Sequence, residues 1–200
     1  MLKLNSINKA FKHQTVLNDI NLEIKEGELI HISGINGSCK TTLLKIISGL
    51  IKPEDGQLIL DSSVKIGALI ENPTFIENEN MAFNLRFLYT LTHKYDESKV
   101  KDLTKLFLLD YISKTPIKKY SLGMRQKVGI IQAIMENQNL ILLDEPTRGL
   151  DKESIKIFNK AIYKLIKERK SVIICAHDGI DNIEFSAEYE IKNGQLYKIN

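Results

Sequence analysis

Tryptophan is absent from the 200-residue chain, and only two cysteines and four prolines occur. So few cysteines cannot form the disulfide framework of a small secreted domain, and Met1 to Asn8 carries no apolar leader, so a reducing, cytoplasmic setting is expected. No apolar run approaches the roughly 18 residues of a membrane span, and any membrane role is therefore expected to come through a partner. Charge of one sign is lacking too: 28 Lys and Arg stand against 25 Asp and Glu, a formal net charge of +3. That excess is too small to announce nucleic acid or an anionic membrane surface. The basic runs "IKKY" (117–120) and "KERK" (167–170) read as solvated faces. With no internal repeat and no low-complexity tract, a chain that is 43% hydrophobic and 26% charged suits one globular domain with a substantial core.

What is present alternates. "LKLNSI" (2–7) and "INLEI" (20–24) switch between apolar and polar residues at period two, as half-buried strands do, and "GELIHISG" (27–34) is a short apolar strand. "KTTLLKIISGL" (40–50) has helical spacing, with Leu43, Leu44 and Ile47 on one face. "PEDGQLIL" (53–60) reads as a turn and a strand. From about Asn80 to Tyr120 helices dominate, and in 96–110 Val100, Leu103, Phe107 and Leu108 recur at helical spacing. Then come a helix over 121–137, the strand "LILLD" (140–144), a helix over 152–169, the strand "SVIICAH" (171–177) and a hairpin at Asn193-Gly194. In the 152–169 helix the stripe Ile155, Phe158, Ile162, Leu165 and Ile166 reads as core packing. The order predicts an α/β fold with a parallel sheet covered on both faces and ligands at the strands' carboxyl ends.

"GINGSCKTT" (34–42) sits between such a strand and helix. A phosphate loop runs Gly, four free positions, Gly, Lys, then Ser or Thr. Gly34, Lys40 and Thr41 fit, but Cys39 stands where the second glycine belongs. The start of a helix offers free N–H groups and the positive end of its dipole to an anion. Lys40 would reach the outer phosphates and the Thr41 hydroxyl would ligate Mg²⁺. Alone, the stretch is equally an ordinary strand–helix turn that contains Gly and Lys. "LILLDEP" (140–146) adds weight: a buried strand that ends in Asp144-Glu145 calls for a cation. Mg²⁺ near Asp144 would supply it, leaving Glu145 to orient and deprotonate a water.

"YSLGMRQKVGI" (120–130) resembles the signature motif of ABC-type ATPases. The phosphate loop, this signature, "LILLDEPTRGLD" (140–151) and "VIICAHD" (172–178) stand in the family's order across essentially the whole chain. The resemblance implies a P-loop NTPase (RecA-like) core with an N-terminal antiparallel β subdomain and a helical subdomain at about 80–135, all in one domain over 1–200. It implies ATP held by Phe11, stacked on adenine, and by Gly34, Ile35, Asn36, Gly37, Ser38, Cys39, Lys40, Thr41 and Thr42. Read from the residues alone, Phe11 is also compatible with a core position on a strand. Glu145 and His177 match the catalytic pair, His177 as the switch that contacts the γ-phosphate. Thr41, Glu71 and, through water, Asp144 match the Mg²⁺ ligands. Ser121 and Gly123 match the signature pair that acts on ATP of the opposite subunit, Ser121 being equally suited to cap a helix. Asp151 matches the loop that meets its counterpart across the dimer.

Three departures from the family stand out. Cys39 puts a Cβ where backbone should approach the β-phosphate, and at a helix start it is expected to lean toward the thiolate. Glu71 in "IGALIENP" (66–73) replaces the usual glutamine, and Leu122 and Met124 replace the usual Gly and Gln of the signature. "ALIENP" with "YSLGM" is similar to the ATPases of bacitracin-resistance and lantibiotic-immunity exporters. The resemblance therefore implies an ATP-hydrolysing transporter subunit, peripheral on the inner face of the membrane. It would work as a homodimer or a paralogous heterodimer with a polytopic permease, export a peptide-like or antimicrobial compound, and need no nucleic acid. The alternative is a weakened or regulatory module outside transport, for which Cys39 argues and against which Glu145 and His177 argue. A DNA-maintenance ATPase of the same family would need a long coiled coil, for which the stretch from Thr41 to Ser121 leaves no room. A small-molecule kinase would not need "YSLGM" or the terminal histidine.

Overall fold

Period-two alternation near the N-terminus becomes a small sheet of its own in the computed structural model, which describes residues 1–12, 14–177 and 182–200. Strands β1 (Leu2–Phe11), β2 (Gln14–Ile24) and β4 (Asp55–Leu60) pair antiparallel in the order β2-β1-β4. The alternating residues Leu2, Leu4, Ile20, Leu22 and Ile24 are buried beneath it. The larger sheet contains β5 (Ile66–Leu69), β6 (Leu140–Asp144), β7 (Ser171–Cys175), β3 (Leu29–Ser33), β8 (Ala187–Lys192) and β9 (Gln195–Lys198), in that spatial order. Its neighbours run parallel except β8 and β9, the hairpin closed by Asn193-Gly194. Every residue of β6 and of β7 is buried, as continuous apolar runs require when helices cover both faces of a sheet.

Helix α1 (Lys40–Ile47) leaves the end of β3 and buries Leu43, Leu44, Ile46 and Ile47. Helices α2 (Met81–Thr90) and α3 (Glu97–Leu106) fill the helix-rich stretch. They are followed by α4 (Leu122–Ile134) and α5 (Lys152–Lys167), whose Phe158, Ile162 and Leu165 are buried as core. Asn80, Asp96, Ser121 and Asp151 cap the starts of α2, α3, α4 and α5, each side chain accepting a backbone N–H of the first turn.

One expectation from the sequence needs correction, and one strand has no counterpart in it. Leu108 does not continue the α3 stripe: the helix stops at Leu106, and Leu108, at φ 57°, is exposed beside a fully buried Phe107. Strand β5 gives no clear sequence signal, because it is four residues long and contains Gly67. The structure shows why glycine is there. A Cβ on Gly67 would stand 1.9 Å from the Ala133 carbonyl oxygen, so α4 can lie on β5 only over a bare backbone. That contact seats the last turn of α4 over the amino end of β5, while Gly129, one turn earlier, packs against Leu69 and Pro73, so the helix starts toward the carboxyl end of the sheet.

Candidate nucleotide site

Four strand ends converge. In the order β5-β6-β7-β3, the carboxyl ends deliver in turn the Glu71 segment, Asp144-Glu145, the Ala176-His177 segment and the Gly34 loop to one edge. Asn36, Gly37, Cys39, Lys40, Thr41, Thr42, Asp144 and Glu145 line a 290 Å³ cavity there. A 530 Å³ cavity on the other side of the loop shares Gly37 and Cys39 with it, and Ile35, Ser38, Gln14 and the 190–194 hairpin form its other walls.

Asp144 is 6% exposed and its Oδ2 accepts from the Thr41 hydroxyl at 2.7 Å and from the Glu71 amide at 3.3 Å. Lys40, equally buried, donates from its ammonium to the carbonyls of Gly34 at 2.6 Å and Ile35 at 3.4 Å, and stands 3.9 Å from Glu145 Oε1. The Ser38 hydroxyl oxygen is buried without a hydrogen-bond partner among the described residues. A buried hydroxyl left unpaired costs stability unless something else bonds it.

Cys39, Glu71 and Glu145 are non-glycine residues in the left-handed region, with φ of 71°, 59° and 46°. Such strain clusters at functional sites, where the surroundings over-determine the backbone. Cys39 is the N-cap of α1, and its thiol points back at the Gly37 carbonyl, 3.4 Å away. The expected thiolate tendency is overturned: burial pushes the Cys39 thiol above its ordinary range, and the hydrogen bond with Thr42 that pulls it down is the smaller effect.

The Glu71 carboxylate pairs with Lys45 Nζ at 2.5 Å, while its backbone amide bonds Asp144. Among the described residues no three His, Cys, Asp or Glu side chains gather as a metal cage. His177 lies two residues past β7 and is exposed; Asp178, which ends the same motif, lies outside the described residues. Phe11 ends β1 with its ring at the surface, 48% exposed and 5.2 Å from Lys9 Nζ, and its strand partner Gln14 lines the 530 Å³ cavity. The alternative of a core phenylalanine does not hold.

Ser121 is exposed and its Oγ accepts from the Met124 amide at 3.2 Å. A Cβ on Gly123 would stand 2.4 Å from the Gly149 carbonyl oxygen, so the signature turn and the 147–150 loop touch backbone to backbone. Asp151 follows, accepting from the Ser154 amide at 2.7 Å, and that bond holds its carboxyl below the usual range. Two partners escaped the sequence reading. Gln126, 4% exposed, donates to the Glu145 carbonyl at 2.9 Å, and Lys45 is the counter-ion of Glu71. Gln126 was findable as a polar residue on an apolar helix face; nothing local marks Lys45.

A glycine-rich loop that opens a helix with Lys and Thr, set against Asp-Glu on a neighbouring parallel strand, defines a nucleoside-triphosphate site of the phosphate-loop class. The ABC transporter family matches residues 17–148. The lantibiotic transport ATP-binding protein SrtF of Streptococcus pyogenes is 31% identical over 196 residues, which is 94% of this chain and 85% of SrtF. The bacitracin transport ATP-binding protein BcrA of Bacillus licheniformis is 29% identical over 92% of this chain and 63% of its own length. A dimeric structure of the bacterial ABC transporter cassette MJ0796 superposes with a TM-score of 0.88 at 26% identity, over 100% of this chain and 99% of that one. The chain thus belongs to the ABC transporter family, as one of its ATP-binding ATPase subunits.

Proposed function

We propose that this subunit binds and hydrolyses Mg-ATP to power export of a peptide-like or antimicrobial compound through a separate polytopic membrane subunit. One observation carries the chemistry: Lys40, Thr41, Asp144 and Glu145 line one cavity at the carboxyl edge of the sheet. A triphosphate entering it offers oxygens to the Lys40 ammonium in place of the loop carbonyls. The donor set fits Mg²⁺, which keeps several waters and takes one or two protein oxygens plus phosphate rather than a full protein cage. Thr41 and, through water, Asp144 would hold it, and the ion would neutralise charge that builds up on the phosphates. Glu71 reaches it only if its carboxylate leaves Lys45. Glu145 is the base for the attacking water, His177 the γ-phosphate contact and Phe11 the adenine platform.

Ser121, Gly123 and Asp151 serve a second subunit, in a homodimer or paralogous heterodimer that sandwiches two ATP molecules. No described helix is long and apolar enough to cross a membrane; in this reading the subunit sits peripherally on the cytoplasmic face, works with a separate polytopic permease as its transporter relatives suggest, and engages no nucleic acid. The whole of 1–200 forms the ATPase domain, with a helical subdomain at about 80–135. SrtF and BcrA, named for lantibiotic and bacitracin transport, support the substrate class.

Affinity purification of the tagged chain from native membranes tests the reading. A co-purifying polytopic protein is expected; its absence, with ATPase activity intact in the isolated chain, favours a module outside transport. The strained Cys39 is the observation on the side of that second reading.

A further inference from the structure

Arg125, in the first turn of α4, makes more contacts than a surface arginine needs. Its two terminal nitrogens form a fork with Glu77, Nη1 to Oε2 at 2.9 Å and Nη2 to Oε1 at 2.7 Å. Nη2 also reaches the Pro73 carbonyl at 3.5 Å and Nη1 the Ile117 carbonyl at 3.4 Å, and the guanidinium lies 5.8 Å from the centre of the Phe75 ring. The Arg125 amide donates to the Ser121 carbonyl at 3.0 Å. A bidentate arginine–carboxylate pair fixes direction as well as distance, and here it holds the Glu77 carboxyl below its usual range.

These bonds complete a path. The Thr41 hydroxyl and the Glu71 amide share Asp144 Oδ2; the chain leaves Glu71 and within two residues reaches Pro73; Arg125 grips Pro73 and Glu77; and Arg125 is bonded to Ser121. We propose that the Arg125–Glu77 fork is the positioning joint that transmits occupancy of the phosphate cavity to the signature turn at Ser121 and Gly123. Neither residue lines that cavity, so neither contributes to binding ATP itself. The proposal rests on the reading of Ser121 and Gly123 as the pair that acts on a second subunit's nucleotide.

The test is hydrogen exchange over residues 117–127 of the full chain, with and without Mg²⁺ and a non-hydrolysable ATP analogue, beside calorimetric affinity for the same analogue. The variants are Glu77→Gln, Arg125→Met (which keeps the stem against Phe75) and the double. The unchanged chain is expected to show an analogue-dependent change in exchange. Each single variant should bind the analogue as tightly and lose that change, and the double should be no worse than either single, because one interaction is removed once. A retained change in Glu77→Gln overturns the proposal, as do additive losses in the double, a parallel loss of analogue affinity, or no change in the unchanged chain. An intact exchange response in a chain that never dimerises would sink the sandwich reading and leave the joint standing.

Discussion

Cys39 concentrates the residue-scale problem of this molecule. A left-handed conformation costs an L-residue roughly 1–2 kcal/mol relative to glycine, and Cys39 adopts it at φ 71° in the wall of both cavities. Cys39→Gly removes the strain and the thiol. Its stability gain is trimmed by the extra freedom glycine has in the unfolded chain, roughly 0.5–1 kcal/mol, so the net change should be small and favourable. The larger effect is expected on ATP: restoring one charge-assisted backbone contact is worth about 1.5–3 kcal/mol, a shift calorimetry reads directly. Equal affinities for the two forms would show that the Cβ stands clear of the phosphates. Burial raises the thiol's pKa, so the folded chain holds this proton more tightly than the unfolded one. Stability is then fully present at neutral pH and falls as pH rises from the unfolded thiol's range through the raised folded value. Alkylation of Cys39 should accordingly be slow at neutral pH, accelerate in alkali and be blocked by saturating Mg-ATP. Fast neutral labelling would contradict the burial. The sequence announced Cys39 as an exception to its pattern but could not say which way the thiol is pushed, because burial is a property of the packed loop.

At the scale of elements, legibility followed a sustained apolar pattern. β6 and β7 could be read from unbroken apolar runs, and α5 from a stripe at helical spacing over its length. β5 could not, since it is four residues long and its Gly67 is accounted for only by the close approach of Ala133, far away in the chain. The Glu71 segment was legible as a departure from the family but not as geometry. Its carboxylate is tied to Lys45 on α1, an exposed pair worth up to about 1 kcal/mol, while its amide joins Asp144. Glu71→Gln breaks the ion pair and leaves the amide in place. ATP affinity of the isolated chain should therefore stay near its starting value, while stimulation of ATPase activity by the membrane partner changes. A large loss of affinity would mean the carboxylate leaves Lys45 to help hold the nucleotide.

For the whole molecule, the signature and the phosphate cavity are linked by direct contacts yet face different nucleotides in the proposed assembly. Gly123 abuts Gly149, Ser121 and Asp151 are exposed near that seam, and Gln126 ties α4 to the Glu145 carbonyl. A second copy would close the cavity with its own seam, giving ATP two sets of contacts that hydrolysis then releases. The family's motif order suggested this assembly from the sequence, but only packing shows that the signature turn and the 147–150 loop touch backbone to backbone. Glu145→Gln keeps the side chain's shape and its Gln126 bond, which uses the backbone, while removing the base. General-base loss slows turnover by roughly 10²–10⁴-fold, long enough for the ATP-bound dimer to accumulate instead of dissolving. Light scattering in saturating Mg-ATP should then report a dimer for Glu145→Gln and a monomer in ADP. A Glu145→Gln chain that stays monomeric at saturating Mg-ATP would remove the sandwich, and with it the role assigned here to Ser121 and Gly123.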